Sequence, residues 1–123
     1  MVPEYRTLEY DEQVALIDWC AWQANRDPRF GLLFAIPNGE KRDVVTAARL
    51  KRSGVKAGVP DLMLPVAAQH WHGLFIEMKR RDGGTVSAEQ ATRLDALNAQ
   101  GYLAVVCHGA DEARVLLGFY LGR

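Results

Sequence analysis

The residue types able to do chemistry in this sequence are concentrated at Asp61, Glu77 and Lys79. Asp61 follows Gly58-Val59-Pro60, and the other two lie in Phe75-Ile76-Glu77-Met78-Lys79. Residues two apart on a strand project to one face, so Glu77 and Lys79 point together while Ile76 and Met78 turn to a core. If the segment after Asp61 pairs with the segment around Glu77, two carboxylates and an ammonium converge at one edge of the sheet. Two such carboxylates repel unless a cation lies between them. Oxygen ligands select a hard divalent ion, Mg²⁺ or Mn²⁺. An ion of this kind polarises a phosphate and lowers the pKa of an attacking water. Lys79 can orient or deprotonate that water, or steady the developing charge. The grouping suits phosphodiester hydrolysis, although a D…ExK spacing alone is common by chance. The alternative makes Asp61 a turn residue after proline, and Glu77 with Lys79 an exposed edge-strand pair.

The elements that must position these residues can be read from periodicity and breakers. Val14, Leu16, Ile17, Cys20, Ala21 and Ala24 recur at helical spacing within 9–25, and Pro28 bars continuation. Residues 32–36 form a short apolar run that suits a buried strand, stopped by Pro37-Asn38-Gly39. Asp43 can cap a helix to about Ser53, with Gly54 to end it. Strands are expected over 59–66 and 74–79, joined through 67–73. Ser87 and Gln90 make a capping box that opens a helix to about Gln100. A last strand over 102–107 and a helix over 111–121, capped near Asp111, close the chain. The sum is an α/β fold with one mixed central sheet flanked by helices.

Composition bounds the rest. The 123 residues, 49% hydrophobic and 24% charged, suit one globular domain over 1–123. No apolar run approaches the roughly 20 residues that cross a bilayer, and the acidic N-terminus lacks the order of a signal peptide. A cytoplasmic protein without membrane partners is expected. Cys20 and Cys107 stand far apart in apolar stretches, as reduced core thiols do. With 15 basic and 15 acidic side chains the net charge is zero, which argues against a surface coated in positive charge. The charges are uneven, however. Residues 1–18 are acidic, whereas 41–56 carry Lys41, Arg42, Arg49, Lys51, Arg52 and Lys56 against Asp43 alone. Arg49, Lys51, Arg52 and Lys56, with Arg80 and Arg81 beside the candidate site, are candidate phosphate contacts; each is otherwise a solvated charge. His70-Trp71-His72 lacks further metal ligands and reads as a surface loop. Trp19 and Trp22 read as core or dimer-surface residues.

Beyond these local readings, the chain resembles the stand-alone VRR-NUC domains (virus-type replication-repair nucleases) of the PD-(D/E)XK nuclease superfamily. The matching pieces are Glu12-Gln13, Pro37-Asn38-Gly39, the run from Ala48 to Leu62 through Lys56-Ala57-Gly58-Val59-Pro60-Asp61, Ile76-Glu77-Met78-Lys79, Ser87-Ala88-Glu89-Gln90, and Leu97 to Gly101. The resemblance spans about residues 10–108, and the run from Arg49 to Leu62 is its most specific part. It implies a PD-(D/E)XK (restriction-endonuclease-like) core and a metal-dependent DNA endonuclease. It also implies branched DNA or a four-way Holliday junction as substrate, handled by a homodimer. By the same resemblance Asp61 and Glu77 are metal ligands, with the Met78 carbonyl a further one, and Lys79 is the catalytic lysine. Glu12 matches the acid of the first helix that joins the site. Gln90 matches a glutamine that supports the site from the helix after the catalytic strand. The residues themselves leave two of these open, since Glu12 also suits a helix N-terminus and Gln90 has its capping role. Asn38 reads as an ordinary turn former that could also meet substrate. A non-catalytic DNA-binding subunit that retains the fold is the alternative function.

Overall fold

The structure is a computed structural model that describes residues 4–37 and 43–123. Asn38 and Gly39, and with them Lys41 and Arg42, lie outside the described residues. Helix α1 spans Glu4–Gln23, strand β1 Phe34–Ala35, helix α2 Val44–Arg52 and strand β2 Leu62–Leu64. Strand β3 follows at Leu74–Lys79, helix α3 at Ala88–Ala99, strand β4 at Leu103–His108 and helix α4 at Ala110–Leu121. The sheet order is β1-β2-β3-β4. The first two pairings are antiparallel and β3 with β4 is parallel, so α3 is the crossover of a βαβ unit. This is the mixed sheet flanked by helices that the sequence pattern calls for.

One face of the sheet carries the core. Leu62, Leu64, Leu74, Ile76, Met78 and Cys107 pack there against Leu16 and Cys20 of α1 and Leu117 and Tyr120 of α4. Both cysteines are free and buried, as expected for core thiols. Alternation along β3 sends Glu77 and Lys79 to the opposite face, where α3 lies. Flanked by β2 and β4, β3 is an inner strand, and Glu77 and Lys79 are only 3% and 7% exposed. The exposed edge-strand alternative therefore does not hold.

Several boundaries differ from the sequence expectation for physical reasons. Helix α1 begins at Glu4 rather than near residue 9, because residues 4–8 contain no helix breaker. The apolar run 32–36 is not a buried strand. Only Phe34–Ala35 pair, at the sheet edge, while Leu32 ends a 3₁₀ turn and Leu33 alone reaches the core. Strand β2 is confined to three residues by Pro60 and Pro65, which offer no amide to a ladder. Asp111 does not cap α4. The cap position is Gly109, which has no side chain to offer, and Glu12 from α1 supplies the missing acceptor through Oε1 at 2.8 Å from the Ala110 amide. Trp71, expected on a surface loop, is half-buried and lies 6.0 Å from the Tyr120 ring, while its neighbours His70 and His72 are exposed. Trp19 meets Phe30 edge-on at 5.4 Å and packs on the core, whereas Trp22 is exposed.

The approach to Asp61 depends on Gly58. Its φ of +79° is a left-handed conformation. A Cβ there would stand 2.6 Å from the backbone carbonyl of Glu89 in the first turn of α3. This close crossing seats the 58–61 segment against the helix that carries Gln90. Gly58→Ala should lower stability by about 1–3 kcal/mol through backbone strain alone, and more once the contact with Glu89 is relieved. Urea unfolding of the two proteins measures it, and equal midpoints would show that the crossing is not constrained.

Candidate active site

Asp61 stands one residue before β2, and continuing the register that pairs Leu62 with Ile76 sets it opposite Glu77. Its Oδ2 accepts a 2.7 Å hydrogen bond from the Met78 amide, so the carboxylate is anchored to the strand that bears its partner. The Asp61 carbonyl accepts from the Ile36 amide at 2.7 Å, which fixes the backbone from the other side. Met78 divides its roles: its side chain is in the core, and its amide and carbonyl face the β2 side, where Asp61 lies.

Gln90 ties the remaining groups together. Its Nε2 donates to Glu77 Oε2 at 2.9 Å, and its Oε1 accepts from Lys79 Nζ at 3.1 Å. The same Oε1 accepts from the Ser87 amide at 2.9 Å, while the Gln90 amide donates to Ser87 Oγ at 3.1 Å. One side chain therefore closes the capping box and hydrogen-bonds both Glu77 and Lys79 at once. The capping box fixes the Gln90 rotamer, and the fixed amide spans Glu77 and Lys79. Lys79 Nζ also lies 3.5 Å from Glu77 Oε2.

Glu12 is placed differently. Its Oε1 caps α4 at Ala110 and its carboxylate pairs with Arg81 at 3.2 Å. These contacts and the neighbouring Arg114 hold its pKa below the usual range, the Ala110 amide most of all. Among the described residues no three or more carboxylate, imidazole or thiol groups gather as a metal set, and the contacts of Glu12 run to Ala110 and Arg81. It reaches the site's surroundings through Arg81, two residues after Lys79. Arg81 is itself held by Glu12 and by Asp111 at 3.6 Å. Arg80 is half-buried and lies 3.5 Å from Asp82. Arg49, Lys51 and Arg52 are exposed at the C-terminal end of α2, a helix with no buried residue, and Lys56 is exposed in the loop towards Asp61. The site group is thus Asp61, Glu77, Lys79, Met78 and Gln90, with the basic residues outside it. Sequence reasoning missed His108, which stands beside Lys79 in the β3–β4 register. Its only signal was a lone polar residue at the end of an apolar strand.

The electrostatics of the group are unbalanced. Burial, and then the charge of Asp61, push Glu77 up to about 8, and the Lys79 ammonium offsets this only in part. Burial also raises Asp61, opposed by the Met78 amide, by a hydrogen bond to Glu77 and by Lys79. The two carboxyls thus lie within hydrogen-bonding reach and share a proton in the absence of another cation. A divalent ion fits this donor set. Two hard carboxylates whose mutual repulsion is incompletely neutralised would hold it.

A pH dependence follows from these shifts. Glu77 binds its proton more tightly folded than unfolded, so it favours the folded chain at low pH. That contribution is lost as pH rises from about 4.5 through about 8. In EDTA, Tm should fall between pH 6 and pH 8, Mg²⁺ should raise it more at pH 8, and Glu77→Gln should flatten both responses. Wild-type and Glu77→Gln melting curves with the same pH slope would refute the shared-proton picture.

The family model of the VRR-NUC domain matches residues 9–111. A solved structure of a VRR-NUC domain protein is 32% identical, with a TM-score of 0.82, over 94% of this chain and 88% of that one. None of the curated proteins matches.

Proposed function

The chain belongs to the VRR-NUC domain family, and from that premise we propose that it is a divalent-metal-dependent endonuclease that hydrolyses DNA phosphodiesters at the Asp61–Glu77–Lys79 group. Family membership implies a nuclease-type, DNA-processing function. The observation that carries the finer proposal is the Gln90 bridge: one amide, itself locked by a capping box, holds a buried carboxylate and a buried ammonium side by side.

Asp61 and Glu77 would hold Mg²⁺ or Mn²⁺, with the Met78 carbonyl on the same side as a further oxygen. When bound, such an ion polarises the scissile phosphate and makes a water more acidic. The chain's own groups do the rest. Asp61 is aimed by the Met78 amide, which also opposes the upward push of burial on its carboxyl. Gln90 holds Glu77 in one rotamer and leaves its second oxygen for the ion. Lys79 places a fixed positive charge where the pentacovalent phosphate gathers negative charge, and can order the attacking water. Glu12 supports this arrangement from the α4 cap and Arg81 rather than from among the ligands.

The basic residues suit the polyanion. Arg49, Lys51, Arg52 and Lys56 follow one another without an intervening acid and lead into Asp61, and Arg80 and Arg81 continue from Lys79. Asp111 and Glu12 already engage Arg81, so its share in DNA binding is through a network rather than a free guanidinium. For a branched substrate with two-fold symmetry, such as a four-way junction, two copies of the site are needed to cut both strands, and a homodimer supplies them. The described residues contain no helix long and apolar enough to cross a membrane.

Asp61→Ala, Glu77→Ala and Lys79→Ala should each slow cleavage by roughly a hundredfold or more, with double variants losing little beyond the singles because the groups act as a unit. Mg²⁺ or Mn²⁺ should support turnover on linear, flapped, forked and four-way DNA, and EDTA should abolish it. A purified Glu77→Ala protein that cuts at the wild-type rate would refute the site. Affinity should fall steeply with salt, and replacing Lys51 and Lys56 by Ala should flatten the slope by about one unit per lost phosphate contact. Binding titrations at several salt concentrations check this, and an unchanged slope would place the DNA on another face.

A further inference from the structure

We infer that His108 is a positioning residue for Lys79, acting through the 80–84 turn that it clamps; the inference rests on the role proposed for Lys79. His108 ends β4 directly beside Lys79, on the face that carries Glu77 and Lys79. Its Nδ1 lies 3.2 Å from the Arg80 carbonyl and 3.0 Å from the Gly83 carbonyl. Both partners can only accept, so Nδ1 carries a proton and donates whether the ring is neutral or charged. The ring therefore ties the first and fourth residues of the turn to the strand next to Lys79.

The turn in its closed form rests on the lysine. Gly84, with φ +93°, sits so close to the Lys79 stem that a Cβ there would be 3.2 Å from Lys79 Cδ and 3.3 Å from its Cβ. With this glycine over the stem, Lys79 is left with its ammonium turned to Gln90 and Glu77. The His108 backbone is fixed in turn, since its amide donates to Glu112 Oε1 at 3.0 Å, and the next amide, Gly109, donates to the Lys79 carbonyl at 2.9 Å. A clamp anchored to α4 thus closes the turn over a side chain that otherwise has many rotamers. The charged groups of the turn are paired with one another and with α1 and α4, Arg80 with Asp82, and Arg81 with Glu12 and Asp111.

The test separates a clamp from a structural histidine by the atom it needs. Asn at 108 places an amide nitrogen near the Nδ1 position, whereas Gln places one near Nε2. His108→Asn should keep single-turnover cleavage at saturating DNA near the wild-type rate. His108→Gln and His108→Ala should slow it by about ten- to a hundredfold, the effect of a small displacement of a reacting group, with DNA affinity unchanged. The Lys79 ammonium resonance in ¹⁵N-labelled protein reports the same position without turnover, and should persist in wild type and His108→Asn but vanish by exchange in the other two. Equal rates and spectra for Asn and Gln, or a persistent ammonium signal in all variants, would overturn the clamp. Loss of the signal with an undiminished rate would instead remove Lys79 from the chemistry, and so fail the proposal on which this inference rests. Thermal melting of each variant shows that it is folded.

Discussion

A carboxyl and an ammonium on the inner strand of a small sheet are held out of water with a second, half-buried carboxyl beside them, and the charges do not cancel. An ionised carboxylate in such surroundings is tolerated only when it is paired or hydrogen-bonded. Asp61 obtains one strong donor from the Met78 amide, and Glu77 obtains the Gln90 amide and a lysine at 3.5 Å. These partners are too few for two full charges, which is why Glu77 retains a proton well above the usual glutamate range. On the proposed reading, a divalent cation would remove the repulsion that the protein leaves in place.

Much of the architecture exists to hold that imbalance still. Strand β3 must be internal, with β2 and β4 on its edges and Gln90 of α3 over Glu77 and Lys79, so that both side chains are dry. Gly58 must cross the first turn of α3 closely, so that Asp61 meets β3 while Gln90 faces Glu77. The α3 capping box serves local helix stability and site geometry at the same time, since Gln90 Oε1 accepts from both the Ser87 amide and the Lys79 ammonium. Glu12 performs the corresponding service at α4, where Gly109 has no side chain to cap with. Arg81 then links that cap back to the strand of Lys79.

The site was legible in the sequence where its signal is local or periodic. Alternation along Phe75–Lys79 placed Glu77 and Lys79 on one face, and the Ser87–Gln90 spacing announced the cap. What sequence could not show is contact across distance. The Glu12–Ala110 hydrogen bond joins residues 98 apart, and nothing near either of them marks it. The same limit applied to α4, where Asp111 looked like a cap but serves Arg114 and Arg81. The 32–36 run failed for another reason, because an apolar pentapeptide does not reveal whether its strand will be central or at an edge. His108 was passed over because a single histidine after five apolar residues carries no pattern. Its meaning comes from the carbonyls of Arg80 and Gly83, which only the folded turn presents.

The central claim, that Asp61 and Glu77 share a proton until a divalent ion replaces it, is tested most directly by calorimetric titration with Mg²⁺ or Mn²⁺ at pH 7. Repeating the titration in two buffers of different ionisation enthalpy counts the protons released on binding. The account predicts one ion site per chain that releases close to one proton at pH 7, as expected when a raised carboxyl must ionise to become a ligand. The release should fade at pH 9, and binding should be lost in Asp61→Ala. Binding that releases no proton at pH 7, or that survives unchanged in Asp61→Ala, would contradict it.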